Sequence, residues 1–290
     1  LQDFPRENLE QHPLVQQQAT DPMIYCPERT RVRFSSYFHA NWIQDLLPDR
    51  EVIVAALPTA STLNAFWQLI LEQEVQVVIC CSHPADCSKP ALVPYWPRGN
   101  DAYRSPAAHY SLQALFKEAG PPGVSAHYLE LAHEQKKSRA HVLLIHIDGW
   151  KDFVTPPAAY IEGICHFIEE KSSFYPGRIL FQSQSGAGRA GTLLASWLAR
   201  QKMSEQYLIT KTLPDFSSDW LYDLIYPLKR DRDFRLIRTD GQLEGLLGVI
   251  ELTVKNILEQ VQAQQEMEEK ALSTPSSPAA LPNYGPGSLG

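Results

Sequence analysis

One stretch constrains this chain more than any other: a short apolar strand that runs into a glycine-containing loop and then an apolar helix. The strand is Arg178-Ile179-Leu180-Phe181. The loop is Gln182-Ser183-Gln184-Ser185-Gly186-Ala187-Gly188-Arg189-Ala190-Gly191, and the helix spans Thr192 to Lys202. Such a turn points successive backbone N–H groups inward, and the helix N-terminus adds partial positive charge. Gly186 and Gly188 permit the backbone conformations of a tight loop. Arg189, six residues after Ser183, can close the cradle by gripping two phosphate oxygens at once. A lone Ser-x5-Arg pair would be weak evidence for an anion-holding site, and the full strand-loop-helix run is more specific than that pair.

The rest of the chain supplies a mixed framework. Arg31–Phe34 alternates like a strand, and Glu51–Ala56 and Val75–Cys81 are apolar runs of strand length. Val124–Leu131 and His141–Ile147 predict two further strands. Thr62–Glu74, Ala158–Lys171 and Gly241–Met267 predict helices. Residues 82–106 hold five prolines and read as a loop around Tyr95-Trp96-Pro97. Strands and helices mix without strict alternation, so the expected class is α/β (α+β) in one domain. The expected boundaries are a leader at 1–24, a domain at 25–268 and a disordered Pro/Ser/Gly-rich tail at 269–290. The chain reads as an excerpt of a longer protein.

Composition removes several function classes. Twenty-six Lys and Arg face 33 Asp and Glu, a net charge of -7, and no basic stripe is available to neutralise nucleic-acid phosphates. No apolar run reaches the ~20 residues of a membrane span. Five scattered cysteines without a CxxC pair argue against a disulfide framework or zinc site and for a reducing, intracellular compartment. Cys80 and Cys81 read as packing residues, and no histidine pair has metal-ligand spacing. No metal or cofactor is expected. Lys229-Arg230-Asp231-Arg232-Asp233 reads as a solvated loop.

The run Phe181–Thr192 resembles the signature loop of classical protein tyrosine phosphatases: His-Cys, five residues, Arg, Ser or Thr, Gly. Other segments match that family in order. Tyr37-Phe38-His39-Ala40-Asn41-Trp42-Ile43 is similar to its Tyr-Ile-Asn-Ala segment, Val54-Ala55-Ala56-Leu57-Pro58 to its Ala-Thr-Gln-Gly-Pro, and Phe66-Trp67 with Val77-Val78-Ile79 to the next helix and strand. Tyr95-Trp96-Pro97 matches Tyr-Trp-Pro, and Trp150-Lys151-Asp152-Phe153 stands where the family has its mobile Trp-Pro-Asp loop. The resemblance covers roughly residues 25 to 262. It implies the classical fold, a central highly twisted mixed sheet flanked by helices.

It also implies roles. Ser183 takes the nucleophile position, Asp152 the general-acid position and Arg189 the transition-state clamp. Gln184, Ser185, Gly186, Ala187, Gly188 and Arg189 would bind phosphate, and Gln242 survives from the family's water-positioning glutamines. Other parts are replaced. The family's thiolate is a hydroxyl here, far harder to ionise. Gln182 stands for His, Ala190 for the hydroxyl that assists breakdown of the phosphoenzyme, Arg238 for a glutamine, Ala56-Leu57 for Gln-Gly and Lys151 for Pro. The stacking tyrosine of a phosphotyrosine pocket would fall at Asp21, or at Tyr25 with a small gap. The expected function is a non-catalytic phosphatase-like module that grips a phosphorylated protein or peptide and works with other domains of the same longer chain. Two alternatives stand beside it: an active or trap-mutated phosphatase hydrolysing phosphotyrosine, and an empty structural platform. Asn41-Trp42, Phe66-Trp67-Gln68-Leu69 and Glu134-Gln135-Lys136-Lys137-Ser138 are similar to the His-domain-containing cytosolic type. That similarity implies a cytoplasmic, endosome-associated adaptor in receptor sorting.

Overall fold

The centre of the fold follows from four nearly continuous apolar runs. In the computed structural model, which describes residues 23–88, 95–97, 103–104, 110–135 and 137–273, these runs are β2 (Val52–Ala56), β3 (Val75–Cys81), β7 (Ser138–Ile147) and β8 (Arg178–Ser183). β2, β8, β3 and β7 lie side by side and pair in parallel. Parallel strands are covered on both faces, which is why both faces of these segments are apolar. Alternate residues go to opposite sides. Val52, Val54, Val77, Ile79 and Phe181 join one core cluster, while Ile53, Ala55, Val78 and Leu180 join the other.

The first cluster is closed by α2 (Ala158–Ser172), α3 (Gly188–Thr210), α4 (Ser218–Asp231) and α5 (Asp240–Ser273). The second is closed by α1 (Leu63–Glu72), whose Phe66 and Trp67 pack edge to face, and by Tyr95 and Trp96. β1 (Ala40–Ile43) adds antiparallel to β2. β6 (Val124–His133), β5 (Tyr110–Ala119) and β4 (Tyr103–Arg104) extend the other edge antiparallel. The full order is β1-β2-β8-β3-β7-β6-β5-β4, a mixed sheet flanked by helices as expected.

Register places the functional end. Ser183 lies opposite both Ala56 and Cys81, and Cys81 opposite Ile147. The carboxyl ends of all four parallel strands therefore finish at one level, where ligands of such sheets bind. The loops that leave this level are a 3-10 turn at Pro84–Ser88 after β3, the Trp150–Thr155 segment after β7 and the cradle after β8.

Several elements differ from the sequence reading. Arg31–Phe34 makes only an isolated bridge, Arg31 to Asn41. α3 starts at Gly188 rather than Thr192 and runs to Thr210. α5 continues to Ser273, past the boundary set at 268, because Gln, Glu, Lys and Ala are strong helix formers. The expected leader up to residue 22 and the tail from 274 onward lie outside the described residues. Lys229–Asp233 is not a solvated loop: Asp231, Arg232 and Asp233 are fully buried. Cys26, Cys80, Cys81 and Cys165 are buried free thiols. Among the described residues no helix is long and apolar enough to cross a membrane.

Candidate functional site

The cradle is shaped from behind. After Ser183, Gly186 takes φ +69 and its amide donates to the Ser183 carbonyl at 3.0 Å. A Cβ at Gly186 would meet the Ala55 carbonyl oxygen at 2.4 Å, so both the conformation and the space demand glycine. Arg232, at the end of α4, donates from Nη2 to the Ser185 carbonyl at 2.9 Å and from Nε to the Gly186 carbonyl at 3.3 Å. Its Nη1 donates to Asn41 Oδ1 at 2.6 Å. These bonds turn the loop carbonyls toward the buried guanidinium and leave the loop's opposite side to the cleft. The N-cap residue of α3, Ala187, makes no side-chain cap bond; of the first-turn amides, that of Ala190 finds a distant acceptor in Ser183 Oγ at 3.4 Å.

The base of the cleft is Arg189, only 3% exposed. Its Nη1 donates to Asp86 Oδ2 at 2.7 Å and to the Trp150 carbonyl at 3.1 Å. Its Nε lies 3.5 Å from Asp152 Oδ1. Its Nη2 is buried with no hydrogen-bond partner. A buried guanidinium nitrogen without a partner is costly, and this one belongs to a residue lining the cleft. Asp86 was not singled out from the sequence. Its only signal was an acidic residue nine positions before Tyr95, and its contact with Arg189 spans 103 residues. The Trp150 loop closes on itself through Trp150 Nε1 donating to the Val154 carbonyl at 2.8 Å. Phe153 is 82% exposed and holds φ +60, a strained value for an aromatic residue.

The structure brings most of the predicted residues to one cleft of about 100 Å3. Gln184, Ser185, Ala187, Gly188 and Arg189 line it, with Asp152 and Phe153 on one wall and Gln242 on another. Two predicted residues stand differently. Gly186 does not line the cleft, since its amide is spent on the turn. Ser183 sits below the lining, 2% exposed, and its Oγ accepts a long bond from the Ala190 amide at 3.4 Å. Among the described residues no histidine, lysine or carboxylate is bonded to that hydroxyl. Gln182 donates to the Tyr95 hydroxyl, away from Ser183.

Gln242 is half occupied by a local duty. Its Oε1 accepts from the Arg238 amide at 3.0 Å and the Thr239 amide at 3.3 Å, while Thr239 Oγ1 accepts from the Gln242 amide at 3.2 Å. That is a capping box for α5, and it leaves Nε2 beside Gly188. Tyr25 does not line the cleft. Its ring meets Phe234 and Arg235, and Ile24 takes the lining position. Asp21 lies outside the described residues. His39 holds this segment in place, with Nε2 3.2 Å from the Tyr25 carbonyl, and burial keeps its pKa well below the usual range. Among the described residues no three His, Cys, Asp or Glu side chains gather to hold a metal ion.

The sequence model described as Protein-tyrosine phosphatase matches residues 16–217. The chain is 24% identical over 233 residues to tyrosine-protein phosphatase 69D of Drosophila melanogaster, covering 73% of this chain and 15% of that protein. It is 25% identical over 172 residues to human tyrosine-protein phosphatase non-receptor type 7, covering 58% and 45%. It is 28% identical over 180 residues to the receptor-type tyrosine-protein phosphatase-like ida-1 of Caenorhabditis elegans, covering 60% and 22%. The chain thus spans less than half the length of each of these relatives.

Proposed function

Because the chain belongs to the protein-tyrosine phosphatase family, we propose that its cleft grips a phosphorylated protein or peptide without hydrolysing it. The observation that carries this reading is the contrast between Arg189 and Ser183. Arg189 keeps an unpartnered, buried Nη2 at the base of an amide cradle. Ser183 lies beneath it with no base bonded to its hydroxyl. A serine hydroxyl attacks phosphorus only when a neighbour takes its proton. The losses at Gln182, Ala190 and Arg238 point the same way, since each would otherwise assist formation or breakdown of a phosphoenzyme.

The roles follow from position. The amides of the cradle and the N-terminus of α3 would hold equatorial phosphate oxygens, with Arg189 Nη2 donating to one of them. Asp86 positions Arg189 rather than touching ligand. Ser183, Asp152 and Gln242 keep the places of nucleophile, general acid and water-positioning group.

A second reading has a specific observation behind it. Asp152 remains at the cleft beside Arg189, where a general acid could protonate a leaving phenolate, so hydrolysis through Ser183 stands as the competing function. Phosphate release from a phosphotyrosine peptide, measured for the wild type and for Ser183→Cys, separates the two. The first reading expects no turnover from the wild type and none from Ser183→Cys, because the losses extend beyond one atom. Turnover by the wild type that disappears in Arg189→Ala would establish the second, and rescue by Ser183→Cys would mark a single-residue trap. At the level of the longer chain, we read the domain as a scaffold module of a cytoplasmic, endosome-associated adaptor. The segments Asn41-Trp42 and Phe66–Leu69 support that reading, and co-localisation of the full-length protein with endosomal markers tests it.

A further inference from the structure

The parallel strands have a second end, and a cavity of about 590 Å3 opens there. Val75 and Gln76, which begin β3, and Ser138 to His141, which begin β7, line it. The cradle sits at the carboxyl ends of the same sheet, so the two sites lie at opposite poles. One lip of this cavity is the end of α1, with Glu72 and Glu74. The other is the turn between α2 and β8, with Phe174.

The first lip is negative. Glu74 follows the C-cap of α1 with φ +49, and its amide donates to the Leu71 carbonyl at 3.3 Å. Glycine suits that left-handed position best, so a glutamate there keeps a carboxylate at the lip against backbone strain. That carboxylate makes no hydrogen bond or ion pair among the described residues. The carbonyl end of α1 adds partial negative charge, and no basic residue stands in its last turn. The arginines on these elements are engaged elsewhere. Arg178 meets the Gln73 carbonyl at 2.8 Å and Glu51 Oε2 at 2.7 Å, and Arg139 meets Glu130 Oε1 at 2.9 Å. The second lip is apolar and fixed. Phe174 is 82% exposed, and no ring or cation lies against it among the described residues. Its turn is tied down by the Tyr175 amide on the Ser172 carbonyl at 3.0 Å, by Arg50 Nη2 on the Tyr175 carbonyl at 2.8 Å and by the Gly177 amide on Gln76 Oε1 at 2.8 Å. An aromatic ring held out on a rigid turn is preorganised for a partner.

We propose that this groove docks an arginine-bearing segment of a partner protein. A guanidinium can fork a carboxylate and stack on an aromatic face at once, and Glu74 and Phe174 offer those two contacts on the lips of one cavity. The docking surface is remote from the cradle, so a partner can sit there whether the cleft is filled or empty. The inference therefore stands apart from the phosphopeptide reading.

An amide-resolved NMR titration of the whole 290-residue chain tests it. The probes are a blocked peptide, Gly-Ala-Arg-Ala-Arg-Ala-Gly, and its counterpart with glutamine at both arginine positions. The arginine peptide should shift the amide signals of Glu74 and Phe174. It should bind about tenfold more tightly than the glutamine peptide, the factor for one charge-assisted contact. Glu74→Gln should remove about tenfold in affinity, and Phe174→Ala about threefold. Equal affinity for the two peptides overturns the proposal. So do binding that survives in the double variant Glu74→Gln/Phe174→Ala, shifts confined to the cleft, and the absence of any shift. None of these results bears on the phosphopeptide reading. Both side chains are exposed, so the double variant should fold. Should it not, the wild-type salt dependence decides: the arginine peptide must lose affinity as salt is added, and a constant affinity refutes the proposal.

Discussion

Arg232 and Arg238 lie six positions apart and meet opposite surroundings. Arg232 is fully buried behind the cradle, bonded to two loop carbonyls and to Asn41. Arg238 is exposed at the mouth, with an aromatic ring for company and no bonded anion among the described residues. The same side chain performs different work in each place. Behind the cradle it fixes backbone geometry, and its loss should be felt as stability. At the mouth it offers charge, and its loss should be felt as binding. The support of the cradle is thus separate from the charge at its mouth.

Substitutions measured by urea unfolding sharpen that contrast. Arg232→Ala should have the largest effect, a loss of about 3–5 kcal/mol, because it strands buried polar partners. A loss below about 1 kcal/mol would mean that Arg232 does not hold the cradle. Next comes Asp86→Ala, expected to cost about 3 kcal/mol by leaving Arg189 buried beside only the more distant carboxylate of Asp152. Gln242→Ala removes the reciprocal partner of Thr239 and should cost about 1 kcal/mol, with fraying at the start of α5. Arg238→Ala should move stability by no more than about 0.5 kcal/mol. If it destabilises as Arg232→Ala does, the distinction between support and charge collapses.

Much of this was legible in the sequence where function is local. The cradle loop is contiguous, so its glycines and its arginine could be read together. The four central strands announce themselves through apolar runs buried on both faces. What stayed hidden depends on partners far along the chain. Asp86 reaches Arg189 across 103 residues, and Arg232 reaches Ser185 across 47. Lys229–Asp233 resembles a solvated charge run because its partners cannot be seen locally: the Gln44 amide meets Asp231, the Tyr25 amide meets Asp233, and Asn41 meets Arg232. β5 is ambiguous for another reason. Its Leu, Gln, Ala, Lys and Glu favour helix, while Tyr110, Leu112 and Ala114 alternate toward the core, and pairing with β6 decides the outcome. α4 is masked by Pro227 within it.

The 31P spectrum of a phosphotyrosine peptide mixed with an equimolar amount of the purified chain tests gripping without cutting most directly. A peptide resonance that shifts or broadens, with no inorganic phosphate signal after many hours, is the result expected from an unpartnered Arg189 Nη2 above an unassisted Ser183. Inorganic phosphate that accumulates in the wild type and is absent with Arg189→Ala would contradict it.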